Sequence, residues 1–193
     1  MKPGLDPKIS TNHTTKKNTT NVCARFLYSK FKYKLTVMKT AIFVDVQNIY
    51  YTTRDTFKRS FNYKSFWKQI ESNNEIIIAN AYAVDKGDEK QQRFQYALQT
   101  IGFNVKLKPY ISRADGSAKG DWDVGITIDI LDSAKKAEKI ILLSGDGDFD
   151  LLVRKVVDKY GCIVHIYGVK ELTANSLIES ASKFYSISSN LLV

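Results

Sequence analysis

The sequence predicts an α/β fold, a three-layer α/β/α sandwich around a mostly parallel sheet. Short apolar runs recur along the chain with amphipathic segments between them, which is the pattern of strands joined by crossover helices. The run at 140–143 is apolar throughout, as is typical of a parallel strand buried on both faces. With a strand order of about 3-2-1-4-5, the first and fourth strands are neighbours where the order reverses, and ligands bind at that point in such sheets.

The elements follow in chain order. Strands are predicted at 41–45, 76–83, 104–111, 140–143 and 162–167, with a short final strand at 184–187. Helices are predicted at 48–59, 63–71, 88–101, 123–136, 151–160 and 173–183, and a loop at 112–120. Gly161 is expected to end the fifth helix. The alternation of apolar residues from Val124 to Ile130 would also allow a strand, but the length of 123–136 favours a helix.

The first 37 residues differ from the rest of the chain. Residues 1–22 are polar and without periodicity, so we expect them to be disordered. Within residues 26–37, apolar and polar side chains alternate in a way that fits an edge strand or a basic-aromatic arm: Phe31, Tyr33, Leu35 and Val37 alternate with Lys30, Lys32, Lys34 and Thr36. Alternatively, Met38 is the natural start and 1–37 is a leader outside the folded domain at 38–193. This extension carries eight basic side chains and one acidic one, so it holds most of the net charge of +9.

Composition excludes several classes of protein. No apolar run reaches the roughly 20 residues of a membrane span, and we expect no membrane partner. Cys23 and Cys162 lie far apart and indicate neither a disulfide framework nor a zinc site, so a reducing, cytoplasmic location is expected. Histidine chemistry is poorly supplied, since His13 lies in the extension and His165 falls inside a predicted strand.

Acidic side chains follow the ends of two predicted strands and open one helix. They are Asp45 after the first strand, Asp146, Asp148 and Asp150 after the fourth, and Asp121 and Asp123 at the start of the intervening helix. The carboxyl ends of neighbouring parallel strands meet at one edge of a sheet, so these carboxylates are expected to converge there. Oxygen-only ligands suit a hard cation, Mg²⁺ or Mn²⁺.

Each acidic residue alone also has an ordinary structural explanation. Asp123 and Asp148 could be helix N-caps, and Asp146 could serve a turn. The segment from Asp45 to Asn48 could be a strand-end turn with Asn48 as the cap. The convergence of three segments on one edge favours the metal site over these separate explanations.

Other metal and phosphate motifs fit less well. The run from Asp146 to Asp150 begins like an EF-hand loop, but Leu151 and Val157 stand where that loop needs its Gly and its bidentate Glu. The sequence contains neither a P-loop nor a GxGxxG fingerprint.

Three blocks carry a resemblance to a known family. They are Phe43-Val44-Asp45-Val46-Gln47-Asn48, then Lys119-Gly120-Asp121-Trp122-Asp123-Val124 with Asp129, and Ser144-Gly145-Asp146-Gly147-Asp148-Phe149. In this order they resemble the signature blocks of NYN domains of the PIN-like nuclease superfamily, and most closely the LabA-like bacterial branch. The resemblance covers about residues 40–187. It implies a PIN-like fold and Mg²⁺- or Mn²⁺-dependent ribonuclease activity.

The resemblance also implies roles for individual residues. The metal-binding catalytic acids would be Asp45, Asp123, Asp146 and Asp148, and Asn48 would support the first of them. Asp121 and Asp150 are adjacent candidates of lower rank.

The segment after Asn48 mixes basic and aromatic residues, as single-stranded nucleic-acid binding sites do. Arg54, Lys58, Arg59 and, from the second block, Lys119 are therefore predicted to contact RNA, which we expect to be single-stranded. The alternative is that the aromatic residues belong to the core and the basic residues to a solvated face.

Three functions remain open at this stage. The first is a metal-dependent nuclease, and the second is a non-catalytic nucleic-acid-binding regulatory module of the same fold. The third is a phosphohydrolase acting on a small substrate, which would need a deep closed pocket. The sequence leaves the oligomeric state open, a homodimer included.

Overall fold

The computed structural model describes residues 37–85, 87–109, 111–112, 118–119 and 122–193. Its strands are β1 (Met38–Asp45), β2 (Asn74–Asp85), β3 (Asn104–Pro109), β4 (Ile111–Ser112), β5 (Ala118–Lys119), β6 (Lys139–Leu143), β7 (Ile163–Gly168) and β8 (Lys183–Ser186). Six of them form one sheet in the order β3-β2-β1-β6-β7-β8, and every pairing in it is parallel. The predicted α/β fold and strand order are confirmed, and the short C-terminal strand adds one edge of the sheet.

The helices lie on both faces of this sheet. They are α1 (Val46–Phe57), α2 (Tyr63–Glu71), α3 (Glu89–Ile101), α4 (Asp123–Ser133), α5 (Asp150–Tyr160) and α6 (Asn175–Ser180). One core joins Ile42 and Val44 of β1 to α1, α2 and α3, whereas Ala41 and Phe43 pack with α4, α5 and α6. Successive residues of a strand point to opposite faces, so β1 contributes to both cores of the three-layer sandwich.

Strand β1 lies in the middle of the sheet between β2 and β6. Residues 41–44 have no exposed surface, which is why this segment is apolar without alternation. The register sets Val44 beside Leu143 of β6. Asp45 and Ser144, which follow this pair of residues, therefore lie at the same edge of the sheet.

The ambiguous segment at 123–136 is helical up to Ser133. Ile126 and Ile130 are buried at 0% and 2% exposure, whereas Val124 and Ile128 are 68% and 55% exposed. Residues four apart lie on the same face of a helix, so the alternation that resembled a strand separates into one buried and one exposed apolar face.

The predicted loop at 112–120 contains part of a hairpin, because β4 and β5 pair in antiparallel fashion. The predicted strand at 104–111 ends at Pro109, and Ile111 belongs to β4. The predictions for residues 1–36 lie outside the described residues, as do those for Gly120 and Asp121. Residues Val37–Val193 form a compact unit. Among the described helices, none has the length and apolar character needed to span a membrane.

Candidate metal and active site

Asp45 ends β1 and caps α1. Its Oδ1 accepts a hydrogen bond from the backbone N–H of Asn48 at 3.0 Å. A carboxylate at this position satisfies a free helix donor and complements the positive end of the helix dipole. The helix therefore begins at Val46, two residues earlier than predicted, and Asp45 rather than Asn48 is the N-cap.

The side chain of Asn48 connects two strand ends. Its Oδ1 accepts a hydrogen bond from the backbone N–H of Gly145, which follows β6, at 2.9 Å. A Cβ on Gly145 would lie 2.7 Å from the carbonyl oxygen of Leu172 and 3.0 Å from the Thr173 hydroxyl, so the close approach requires glycine. Asn48 thus fixes the turn that carries Asp146 relative to the turn that carries Asp45.

The acidic turn after β6 has its own hydrogen bonds. The N–H of Asp146 donates to the Ser144 hydroxyl at 3.2 Å, and Asp146 Oδ1 accepts from the N–H of Asp148 at 3.0 Å. Asp146 is therefore the N-cap of a 3₁₀ turn at Gly147–Phe149, while Asp148 lies within the turn and is exposed. Phe149 is buried and holds the turn against the core.

Asp123 is brought to the site by its neighbour Trp122. The Trp122 Nε1–H donates to the carbonyl of Ala83 in β2 at 2.9 Å, and its ring meets Tyr82 edge to face at 5.2 Å. A Cβ on Gly125 would lie 2.7 Å from the Trp122 ring, so glycine lets the indole pack against the first turn of α4. This anchor was not predicted from the sequence, although the spacing of Trp122, Asp123 and Gly125 contained the signal.

Three of the predicted acids come together at one place. Carboxylate oxygens of Asp123, Asp146 and Asp148 all lie within 4.8 Å of one another. Oxygens on opposite sides of a Mg²⁺ ion are about 4.2 Å apart, because each lies about 2.1 Å from the metal. A small contraction would bring the three oxygens into the coordination shell of one ion, so these residues fit a hard divalent cation.

Asp45 lies beside this group but is not one of its three members. Burial raises the pKa of Asp45, and the charges of Asp123 and Asp146 add to this rise against the hydrogen bond from Asn48, so that the pKa is about 6 instead of 3.8. The Asp45 carboxylate is thus close enough to the cluster to be repelled by it. A bound cation would reverse this repulsion, since an ion is the largest local charge in such a site.

Other acidic residues of the three blocks have different surroundings. Asp129 of α4 forms an ion pair with Lys106 and accepts a hydrogen bond from the Tyr82 hydroxyl. It therefore fastens α4 to β2 and β3. Asp150 begins α5 and is not among the three clustered residues, and Asp121 lies outside the described residues.

Three of the four predicted RNA-contacting residues, Arg54, Lys58 and Arg59, lie in the last turn of α1 or just after it. Arg54 is roughly 13 Å along the helix axis from Asp45 at a rise of about 1.5 Å per residue, and its guanidinium lies 6.0 Å from the Tyr50 ring centroid. Lys58 Nζ donates to the Asp55 carbonyl at 2.9 Å. Arg59 donates to the Leu192 carbonyl at 3.1 Å, so it ties down the C-terminal residues. The side chain of Lys119 lies outside the described residues, and RNA contact by all four stays a prediction.

Comparison with known proteins gives three results. The family model of the NYN domain matches residues 39–188. The low amplitude and bright protein LabA of Synechococcus elongatus is 29% identical over 123 residues, which are 58% of this chain and 64% of that protein. A crystal structure of a protein of unknown function from Vibrio parahaemolyticus is 47% identical and covers 81% of this chain and 97% of that one, with a TM-score of 0.78.

These matches agree with the geometry of the site. The family match includes both strand ends and the start of α4, which together carry all four predicted acids. The chain spans 64% of the length of LabA, and that match supports the LabA-like branch. The resemblance found in the three sequence blocks is therefore confirmed, and this chain belongs to the NYN domain family.

Proposed function

We propose that this protein is a divalent-metal-dependent nuclease that hydrolyses phosphodiester bonds in RNA, with Mg²⁺ or Mn²⁺ as its metal. The observation that carries the proposal is the cluster of Asp123, Asp146 and Asp148, whose oxygens lie within 4.8 Å of one another beside Asp45. Membership of a family within the PIN-like nuclease superfamily supports the same reaction.

In this proposal the chain supplies the binding and orientation of the metal and the scissile phosphate. Asp123, Asp146 and Asp148 would hold the ion, with Asp45 adding a fourth negative charge. A divalent ion held there would activate water for attack and stabilise charge on the phosphoryl oxygens. Asn48 keeps the two strand ends at a fixed separation through its hydrogen bond to Gly145. The products would carry a 3′-hydroxyl and a 5′-phosphate.

The first experiment removes metal from the full-length protein with EDTA and then restores Mg²⁺ or Mn²⁺. Labelled single-stranded RNA, duplex RNA and DNA serve as substrates, and Mn²⁺ binding is measured in parallel by calorimetry. Asp146→Asn is the test variant. Asp158→Asn is the matched control, because Asp158 is an exposed acid on the neighbouring helix α5.

We expect metal-dependent RNA cleavage that Asp146→Asn loses together with Mn²⁺ affinity, and that Asp158→Asn keeps. A folded protein that binds Mn²⁺ but cleaves no substrate would instead be a non-catalytic module of the same fold. Cleavage that survives Asp146→Asn would mean that the site is wrongly placed or that the activity comes from a contaminant.

A further inference from the structure

A groove of about 660 Å³ lies on the face of the sheet that carries α1, α2 and α3. Its wall includes Val46 and Gln47, the two residues that directly follow Asp45. It also includes Ala83 and Val84, near the carboxyl end of β2. The volume falls within the range of about 300–1,000 Å³ that is usual for ligand sites. The groove therefore begins at the same edge of the sheet as the candidate active site.

Aromatic rings form much of this groove. Tyr50 and Tyr51 of α1 are 49% and 56% exposed, and their rings meet edge to face at 5.3 Å. Tyr63 contacts the ring of Phe61 at 4.9 Å and that of Phe94 at 5.6 Å. The two exposed tyrosines indicate a binding site, because large aromatic side chains that line a concavity are typical of such sites. Flat rings that line a groove suit a flat aromatic ligand.

The polar residues of the groove fit a phosphate-bearing ligand. Lys64 and Lys90 line it and are exposed, and among the described residues neither of them forms an ion pair. Asp88 also lines the groove, but its carboxylate accepts a hydrogen bond from the N–H of Gln91 at 2.8 Å as the N-cap of α3. The side chain of Gln47 adds an amide that can pair with the edge of a base.

We propose that this groove binds a nucleobase of single-stranded nucleic acid, next to the phosphodiester that the acid cluster holds. The inference rests on the proposed nuclease function for the position of that phosphodiester. Stacking on tyrosine together with cationic contacts to the backbone is how proteins bind unpaired bases. The base enters between Tyr50, Tyr51 and Phe94, and Lys64 and Lys90 face the flanking phosphates.

Two variants test the groove without altering a buried residue of the core. The double variant Tyr50→Ala/Tyr51→Ala removes the exposed rings, and Ala97→Trp fills the groove from an exposed position on α3. Tyr96→Ala is the matched control, since Tyr96 is a 71% exposed tyrosine of the same helix outside the groove lining. Circular dichroism and thermal unfolding verify that each variant folds.

Binding of a labelled single-stranded RNA 10-mer to the full-length protein is measured by fluorescence anisotropy in EDTA, so that no cleavage occurs. We expect the double variant and Ala97→Trp to raise Kd about tenfold or more, as loss of base stacking does, and Tyr96→Ala to leave it unchanged. Oligonucleotides that each lack one base are tested in the same assay. At one abasic position the wild-type protein should lose the same affinity as the double variant loses for the intact RNA. The double variant should bind that abasic oligonucleotide little more weakly than it binds the intact RNA.

Equal Kd values for wild type, the double variant and Ala97→Trp would overturn the inference, as would absence of binding by the wild type. Cleavage in Mn²⁺ is assayed separately, which distinguishes the two proposals. If the protein binds RNA through the groove but never cleaves it, the base-site proposal stands and the nuclease proposal fails. If the groove variants bind and cleave like the wild type, only the base-site proposal fails.

Discussion

Replacing Asp45 by asparagine is expected to stabilise the metal-free protein at neutral pH. Burial, followed by the charges of Asp123 and Asp146, raises the pKa of Asp45 from 3.8 to about 6. The folded state therefore holds a proton that the unfolded chain has already released between about pH 4 and pH 6. Stability of the wild type must fall as the pH rises through that window, because the folded state binds more protons than the unfolded state there.

The size of the effect follows from the pKa difference. One pKa unit corresponds to about 1.4 kcal/mol, so the ionised Asp45 lowers the free energy of unfolding by about 3 kcal/mol above pH 6. Asparagine is also a good N-cap, so the hydrogen bond to the N–H of Asn48 can persist in the variant. We therefore expect Asp45→Asn to match the wild type near pH 4 and to exceed it by about 3 kcal/mol at pH 7–8.

The measurement is urea unfolding in EDTA at several values of pH between 4 and 8. Asp55→Asn is the control, because Asp55 is an exposed acid on the same helix and its loss should change stability by less than about 0.5 kcal/mol. Adding Mn²⁺ should cancel most of this difference, since a metal at a hundred times its Kd stabilises the wild type by about 2.7 kcal/mol and the variant lacks one of the four charges that attract the ion.

Two results would contradict this expectation. One is an equal free energy of unfolding for Asp45→Asn and the wild type at pH 8 in EDTA. The other is a free energy of unfolding, variant minus wild type, that is lower at pH 8 than at pH 4. Either result would mean that the Asp45 carboxylate is better solvated, or farther from the other acids, than the structure places it.

Three further substitutions test the contacts that build the site. Asn48→Ala removes the 2.9 Å partner of the Gly145 N–H and should lower the free energy of unfolding by about 1–3 kcal/mol in urea titrations; a loss under about 0.5 kcal/mol would show that the contact is dispensable. Gly145→Ala sets a Cβ 2.7 Å from the Leu172 carbonyl oxygen and should lower the free energy of unfolding by about 1–3 kcal/mol. A melting temperature equal to that of the wild type would contradict this clash. Trp122→Phe loses the 2.9 Å hydrogen bond to Ala83, and the free energy of unfolding should fall by about 0.5–1.5 kcal/mol. Unchanged Mn²⁺ affinity in calorimetry would argue against an anchoring role for Trp122.

The fold and the position of the site could be predicted because both depend on local patterns. Residues 41–44 of β1 and 140–143 of β6 are apolar, and these strands alternate with amphipathic helices, so the parallel order follows from simple rules. Asp45 ends its strand and Asp146 follows one short turn after β6, which sets them at the same edge of the sheet.

The finer geometry depends on contacts that no local pattern contains. The amide of Asn48 reaches a backbone N–H 97 residues away, and Trp122 reaches a carbonyl 39 residues away. Of the four predicted acids, Asp123, Asp146 and Asp148 form the close group, while Asp45 lies beside it and an oxygen of Asp45 caps α1. Local spacing showed that this turn exists but could not decide which residue caps the helix.

The contact between Asn48 and Gly145 has a consequence for how the protein folds. Its two residues are 97 positions apart, and closing so long a loop is costly until the intervening strands and helices have formed. The acids that flank it can therefore meet only after β1 and β6 have paired. We therefore expect the site to form late in folding, and a fragment of the chain with only one of these strands to carry acidic residues without forming the site.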